Sequence, residues 1–305
     1  MKRISTTLTL MAFAIAMTAQ SLFVGTYNVR YANGDDVEEG NGWTRRCPVL
    51  CDMINFEEPD IFGTQEALIL QLKDMLKRLP QYSYIGVARE DGKEDGEHSA
   101  IFYRKDKFKL LDSGNFWLSE TPDKPGLGWD AACTRICTWG KFKDTKSKLK
   151  FYYFNLHMDH VGRVARREGA KLVIQKIKEI AGEKAPVILT GDFNVDQNDE
   201  IYSIFSQSGL LDDTYAVAEH RFAENGTFVD YKTDRFTKSR IDHIFVTKNF
   251  KVHRYGVLTN GYWTPKEGTV SHGSGNAPRE LRMRQYDRRM PSDHYPVFAK
   301  IEYKK

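Results

Sequence analysis

Several segments of the chain run apolar and then stop on a side chain able to bind a cation, move a proton or hold an anion. Phe23-Val-Gly-Thr-Tyr is followed by Asn28, Asp60-Ile-Phe-Gly-Thr-Gln by Glu66, and Phe151-Tyr-Tyr-Phe-Asn-Leu by His157. Val187-Ile-Leu-Thr-Gly opens into a loop bearing Asp192 and Asn194, and Asp293-His294 precedes Tyr295-Pro-Val-Phe. Turns favour Gly, Pro and Ser, so five strand ends that offer carboxylate, carboxamide or imidazole are not explained by turn chemistry alone. In α/β sheets the carboxyl edge of a strand is where ligands sit.

These residue types suit one reaction. Oxygen ligands from Glu66 and Asn28, with no cysteine among them, suit a hard divalent cation such as Mg²⁺ (or Mn²⁺), which takes few protein ligands and keeps several waters. Imidazoles at His157 and His294 suit negative charge developing on phosphate oxygens. A carboxylate at Asp192 could deprotonate or orient an attacking water, and Asp242 could hold an imidazole in its productive tautomer. Their sum is metal-assisted phosphoester hydrolysis.

Such groups need a rigid scaffold, and the sequence alternates strands with helices. Short β-branched or aromatic runs at 21–30, 82–88, 99–104, 151–157, 187–190 and 241–247 are bounded by Gly, Pro, Asn or Asp and read as strands. Over 164–181 the apolar residues Val173, Ile174, Ile177, Ile180 and Ala181 recur at three- and four-residue steps, which reads as a helix with its lysines on the far face. Further helices are expected over 45–56 and 67–79, the latter stopped by Pro80. Nothing rich in Gly, Pro or Ser divides the chain and no repeat is visible, so 21–305 reads as one α/β domain.

Composition narrows the class without naming it. The chain has 305 residues, 41% hydrophobic and 28% charged, which excludes disorder, collagen and a polytopic membrane protein. A formal charge of +4 is too small to imply a partner, so any recognition of anions must be local. Residues 1–20 read as a cleaved secretory signal peptide: Lys2 and Arg3 form a basic start, an apolar run follows from Thr7 to Ala16, and Ala16 and Ala19 offer cleavage points. The expected location is therefore periplasmic or secreted, for a monomer with no integral membrane contact. Cys47 with Cys51, and Cys133 with Cys137, are spaced i, i+4, a poor geometry for a disulfide on a helix or a strand, and they lack the turns of a zinc knuckle. They read as ordinary buried thiols.

The motifs, in order along the chain, are Thr26-Tyr-Asn-Val-Arg30, Thr64-Gln-Glu-Ala67, Asn155-Leu-His157, Gly191-Asp-Phe-Asn194, Arg240-Ile-Asp-His-Ile-Phe245 and Ser292-Asp-His-Tyr-Pro-Val297. The series resembles that of the endonuclease/exonuclease/phosphatase superfamily, in its deoxyribonuclease-like and deadenylase-like branch, and suggests a secreted bacterial member. The resemblance implies a four-layer α/β/β/α sandwich, two mixed β-sheets face to face with helices outside, and a site at one end. Carried over by position, Glu66 is the principal metal ligand, Asn28 helps hold metal or phosphate, and Asp293 lies near the metal. Asp192, steadied by Asn194, activates the water. His294, oriented by Asp242, stabilises the phosphorus centre or protonates the leaving oxygen, and His157 bonds a phosphate oxygen. Arg135 stands where several members keep a phosphate-contacting Arg. Apurinic endonucleases place an Asp where this chain has Arg30, which weakens a two-metal reading.

The most favoured activity is a phosphodiesterase or nuclease of endonuclease or 3′-5′ exonuclease type, acting on nucleic acid or nucleotides. The alternative is a phosphatase or phospholipase C-type phosphodiesterase on sugar phosphates, lipid head groups or other small phosphorylated compounds. Two segments are expected to wall the site: 117–129, with its Trp, Pro and Gly, and the arginine-rich 259–290. Arg163, Arg166 and Arg167, at the start of the 164–181 helix, read as a solvated face or as neighbours of a bound anion.

Overall fold

The computed structural model describes residues 20–304 apart from 270–272, 274 and 277. The first part of the chain forms β1 (Gln20–Asn28), α1 (Gly34–Glu38), α2 (Trp43–Glu57), β2 (Ile61–Gln65), α3 (Ile69–Arg78), β3 (Tyr82–Ile85) and β4 (Ile101–Arg104). The middle forms β5 (Phe108–Trp117), β6 (Ile136–Asp144), β7 (Lys150–His157), α4 (Arg163–Ala181), β8 (Val187–Asp192), α5 (Glu200–Ser206) and β9 (Leu211–Asp213). The last part adds α6 (Thr214–Val217), β10 (His220–Phe222), β11 (Asp242–Thr247), β12 (Phe250–Val257), β13 (Tyr262–Pro265), β14 (Tyr286–Arg289) and β15 (Val297–Tyr303).

Two mixed sheets result. One orders its seven strands β10-β12-β15-β1-β2-β4-β3, the other its six β5-β6-β7-β8-β11-β9, and β13 and β14 form a separate hairpin. Three buried clusters identify four layers. Leu22, Val24, Ile61, Phe151, Tyr153, Ile188, Ile244 and Val246 pack between the sheets. Leu50, Ile54, Leu72 and Met75 of α2 and α3 cover Tyr27, Phe62 and Phe102 on the outer face of the first sheet. Val173 and Ile177 of α4 and Ile201 and Phe205 of α5 cover Phe154, Leu156, Leu189 and Phe245 on the outer face of the second. Two mixed sheets face to face with helices outside is the architecture that the motif series implied.

The strand alternation explains how one face can be core at one end and site at the other. Successive side chains on a strand point to opposite faces. The inward residues of β1 are therefore Leu22, Val24, Thr26 and Asn28; of β7, Phe151, Tyr153, Asn155 and His157; of β8, Ile188, Thr190 and Asp192; of β11, Asp242, Ile244 and Val246. Each series passes from apolar to polar toward the same end. Between core and site lies a belt of buried, mutually bonded side chains. Asn155 Oδ1 accepts from Gln65 Nε2 at 2.7 Å and from Thr190 Oγ1 at 3.0 Å, and its Nδ2 donates to Thr64 O at 2.9 Å and Ala100 O at 3.0 Å. A Cβ on Gly63 would come within 2.1 Å of Asn155 Oδ1, so that glycine makes room for the belt.

Several expectations change at their edges. Residues 1–19 of the expected leader lie outside the described residues, while Gln20, placed at its end, already opens β1 opposite Tyr303. The strands β5, β6 and β12 were not read from the sequence; their faces carry many Lys, Asp and Ser, because β5 closes one edge of its sheet and half of β12 faces outward. All four cysteines are free and Cys47, Cys51 and Cys137 are buried, as the thiol reading expected, whereas Cys133 is only half-buried. Arg163 and Arg167 pair with Glu200, and Arg166 donates to the Asp159 carbonyl at 3.0 Å, so groups of the protein itself meet the arginines at the start of α4. Among the described residues no helix is long and apolar enough to cross a membrane.

Candidate active site

Strand register brings the expected residues together. His157 pairs with Asp192 across the parallel β7 and β8, and Asp192 pairs with Asp242 across the antiparallel β8 and β11, so three functional groups stand in a row on one face. From the other sheet come Asn28 at the end of β1, Glu66 one residue past β2, and Asp293 and His294 just before β15. Glu66 and Asn194 take left-handed backbone conformations, φ 64° and 50°, which turn their side chains back over the strand ends. A pocket of about 640 Å³ is lined by Glu66, His157, Asp192, Asn194, Asp293 and His294, together with Arg30, Arg89, Glu97 and Arg135.

Bonds cross between the sheets at this end. Asn28 Nδ2 donates to Glu66 Oε1 at 2.9 Å and to Asp192 Oδ2 at 3.0 Å, while its Oδ1 accepts from Arg30 N at 3.0 Å. A backbone N–H can meet only the oxygen of a carboxamide, which fixes the amide orientation. Asn28 therefore turns its nitrogen toward the carboxylates and its oxygen away. This arrangement makes it a tether of two acids at the expected metal and phosphate position. Asp242 Oδ2 lies 2.8 Å from His294 Nδ1, and His294 Nε2 lies 3.6 Å from Asp192 Oδ2. Burial disfavours a charged His294, but the carboxylates of Asp242 and Asp192 outweigh it and hold the imidazolium well above its ordinary range.

His157 behaves in the opposite way. Burial first, then the guanidiniums of Arg135 and Arg89, push it well below the usual histidine range, so it stays neutral. Asn194 Nδ2 lies 3.2 Å from its Nε2 and donates to Met158 O at 2.9 Å, while Asn194 N donates to Asp192 Oδ1 at 3.0 Å. Asn194 thus steadies both neighbours. The His157 Nε2 also lies 3.4 Å from Asp192 Oδ2, while its Nδ1 meets no bonding partner among the described residues and faces Glu97 Oε2 at 3.9 Å.

The donor set fits a divalent cation. Ligand atoms of Glu66, His157 and Asp192 lie within 4.8 Å of one another, and so do those of Asp192, Asp242 and His294. Burial, reinforced by the Asp242 charge, pushes Asp192 up to about 7; burial, with the charge of Glu66, also raises Asp293 and takes Glu97 to about 7. Burial is the first cause of each of these shifts, and a bound cation beside the carboxylates would favour their ionised forms. Asp293 lines the pocket, 3.6 Å from Arg30 Nη1, and stands outside the two close groups of ligand atoms.

Arg135 is 5% exposed and reaches the pocket, held by Asp159 Oδ2 at 3.4 Å and His160 Nδ1 at 3.0 Å. Asp159 thus acts on the pocket through this arginine, whereas His160 also lines the pocket itself. His243 points to the opposite face, where Nε2 lies 3.0 Å from Val195 O, and takes no part in the pocket. The expected walls differ: neither 117–129 nor 259–290 contributes a lining residue among those described. The walls come from the 86–98 loop, with Arg89 and Glu97, and from the segment carrying Phe228, Asp230 and Ile241. Trp117 acts from behind, donating from Nε1 to Arg89 O at 2.7 Å, and Arg289 anchors the hairpin on Glu39 O at 2.9 Å. Glu97 and Arg89 were missed because 89–97 is rich in Asp, Glu, Lys and Gly and reads as solvated loop; no sequence signal separated them from it.

Residues 25–294 match the model of a family described as Endonuclease/Exonuclease/phosphatase family. Among solved structures, a protein of that family from Bacteroides thetaiotaomicron is 50% identical with TM-score 0.87, covering 94% of this chain and 99% of its own. The structure of a mannosyl-6-phosphatase from Bacteroides thetaiotaomicron is also 50% identical, with TM-score 0.85 and coverage of 92% and 99%. The human Nocturnin catalytic domain with bound sulfate, 19% identical with TM-score 0.66 and coverage of 93% and 94%, shares the fold.

Proposed function

The chain belongs to the endonuclease/exonuclease/phosphatase family and is a hydrolase of phosphoester bonds, and from that premise we propose that it is a divalent-metal-dependent phosphatase acting on phosphorylated sugars. The observation that carries the substrate reading is the pocket wall. Its described lining holds two aromatics, Tyr31 and Phe228, beside arginines and acids, so a compact polyhydroxylated phosphate suits it better than a strand of stacked bases. The 50% identical mannosyl-6-phosphatase supports the same class.

In this reading Glu66 and Asp192 would hold the cation, with Asp293 lining the pocket nearby, and the cation would supply Lewis-acid stabilisation of phosphate charge. Asp192 takes a proton from the attacking water, whose oxygen bonds to phosphorus as the bond to the sugar oxygen breaks. Asn194 and Asn28 keep that carboxylate in place. His294, held as imidazolium by Asp242, stabilises the phosphorane charge or gives its proton to the departing sugar oxygen. Neutral His157 lines the phosphate end, and Arg135, fixed by Asp159 and His160, binds phosphate oxygens.

The leader composition before Gln20 supports export, with cleavage after Ala19 leaving β1 whole; the amino terminus of the mature protein, read by mass spectrometry, tests this. For the activity, purified protein with Mg²⁺ or Mn²⁺ is offered hexose 6-phosphates, oligonucleotides, phosphoinositides and sphingomyelin. Phosphate release from the sugar esters is expected to dominate. Cleavage of oligonucleotides at higher kcat/KM would replace the reading with the nuclease alternative.

A further inference from the structure

Beside the phosphate-handling residues, the pocket carries an ion pair that the reaction as described does not use. Arg89 Nη1 donates to Glu97 Oε2 at 2.6 Å, the two side chains being 12% and 16% exposed. No other donor among the described residues bonds the Glu97 carboxylate within hydrogen-bonding distance, so an accepting oxygen is left for a guest. The pair is held ready before any ligand arrives. Arg89 N donates to Glu97 O at 2.9 Å, closing the loop on itself, and Gly92 and Gly96 take the left-handed conformations, φ 70° and 90°, that its tight return requires. Trp117 Nε1 pins Arg89 O, and His98 N pins the far end to Ala67 O at 2.9 Å.

A carboxylate here is costly for a polyanionic ligand, whose flanking phosphates would meet it beside Glu66 and Asp293. It is useful for a neutral polyol. A carboxylate accepts from hydroxyls and a neighbouring guanidinium donates to them, and a buried, preformed pair of this kind rejects an analogue that lacks the hydroxyl. We propose that Arg89 and Glu97 form a hydroxyl-reading subsite for the sugar of the substrate, with Glu97 accepting from one hydroxyl and Arg89 donating to its neighbour, an inference that rests on the sugar phosphatase reading.

The test compares mannose 6-phosphate with 4-nitrophenyl phosphate, which has no hydroxyl to read. In Glu97→Gln the ratio of kcat/KM for the sugar ester to that for the aryl ester is expected to fall at least tenfold. The ratio is independent of the fraction of protein that is active, so partial misfolding does not mimic the effect, and Glu97→Asp reads the same ratio if Glu97→Gln yields no folded protein. An unmoved ratio overturns the subsite. That includes the case in which both activities fall together, because Glu97 would then act on the chemistry through His157. If the wild type releases phosphate from neither mannose 6-phosphate nor other hexose phosphates, the functional reading itself has failed and the subsite with it, an outcome distinct from an unmoved ratio in an active sugar phosphatase.

Discussion

Asn155→Asp changes one atom type in a buried belt, and its cost follows from the bonds around that atom. Asn155 is fully buried; its Oδ1 accepts two bonds that a carboxylate can also accept, but its Nδ2 donates to Thr64 O at 2.9 Å and Ala100 O at 3.0 Å. An ionised Asp would turn an oxygen on those two carbonyls, so the folded protein must keep it protonated. Holding an aspartic acid neutral at pH 7 when its unfolded pKa is near 3.9 costs about 1.4 kcal/mol per pH unit, or about 4 kcal/mol. The protonated acid can then donate one of the two bonds, and losing the other adds about 1 kcal/mol. The sign is fixed: a folded pKa raised above the unfolded one leaves little penalty at pH 4 and an increasing penalty as pH rises. Urea unfolding of wild type and variant should therefore give a stability difference of about 5 kcal/mol at pH 7 that shrinks to about 2 to 3 kcal/mol at pH 5. A difference below about 1 kcal/mol, or one that does not change between the two pH values, refutes the bonding scheme of the belt.

Other perturbations are equally specific. Glu66→Ala should abolish turnover while the thermal melt stays within a few degrees of wild type; EDTA should do the same reversibly, with Mg²⁺ or Mn²⁺ restoring activity, and survival of turnover in either case removes Glu66 from the metal role. Asp242→Asn removes the charge 2.8 Å from His294 and should cost about 10- to 100-fold in kcat, the size of a lost charge-assisted bond, measured at saturating substrate. Burial holds His243 below the ordinary histidine range, so the stability it contributes is whole above about pH 6.5 and is lost as pH falls. His243→Phe should flatten that acid slope between pH 6.5 and 5 in denaturant titrations, at a cost of about 1 kcal/mol at pH 7 for the lost bond to Val195 O.

The catalytic row was legible because Asn28, His157, Asp192 and Asp242 all stand where an apolar alternation breaks, and that break is visible one strand at a time. Glu66 and His294 flank strands and were found the same way. What each does was less visible: the amide of Asn28 is oriented by Arg30 N, a contact set by the turn after β1, and residue type alone could not tell its oxygen from its nitrogen. The pocket walls could not be read, because Arg89 and Glu97 depend on a loop that doubles back, and the aromatic and arginine-rich segments that drew attention instead brace the loop and the hairpin from behind. The polar strands β5 and β12 escaped because an edge strand or an exposed face has no hydrophobic signature to show.

The bonds from Asn28 to Asp192 and from Asp242 to His294 each join one sheet to the other, as those of Asn155 do deeper in the molecule. Displacing reacting groups by about 1 Å can cost about a hundredfold in rate. Turnover therefore reports the seating of the two sheets far more sharply than the secondary structure does. As denaturant rises, activity should vanish while the far-ultraviolet circular dichroism is still intact, making the protein a gauge of its own alignment.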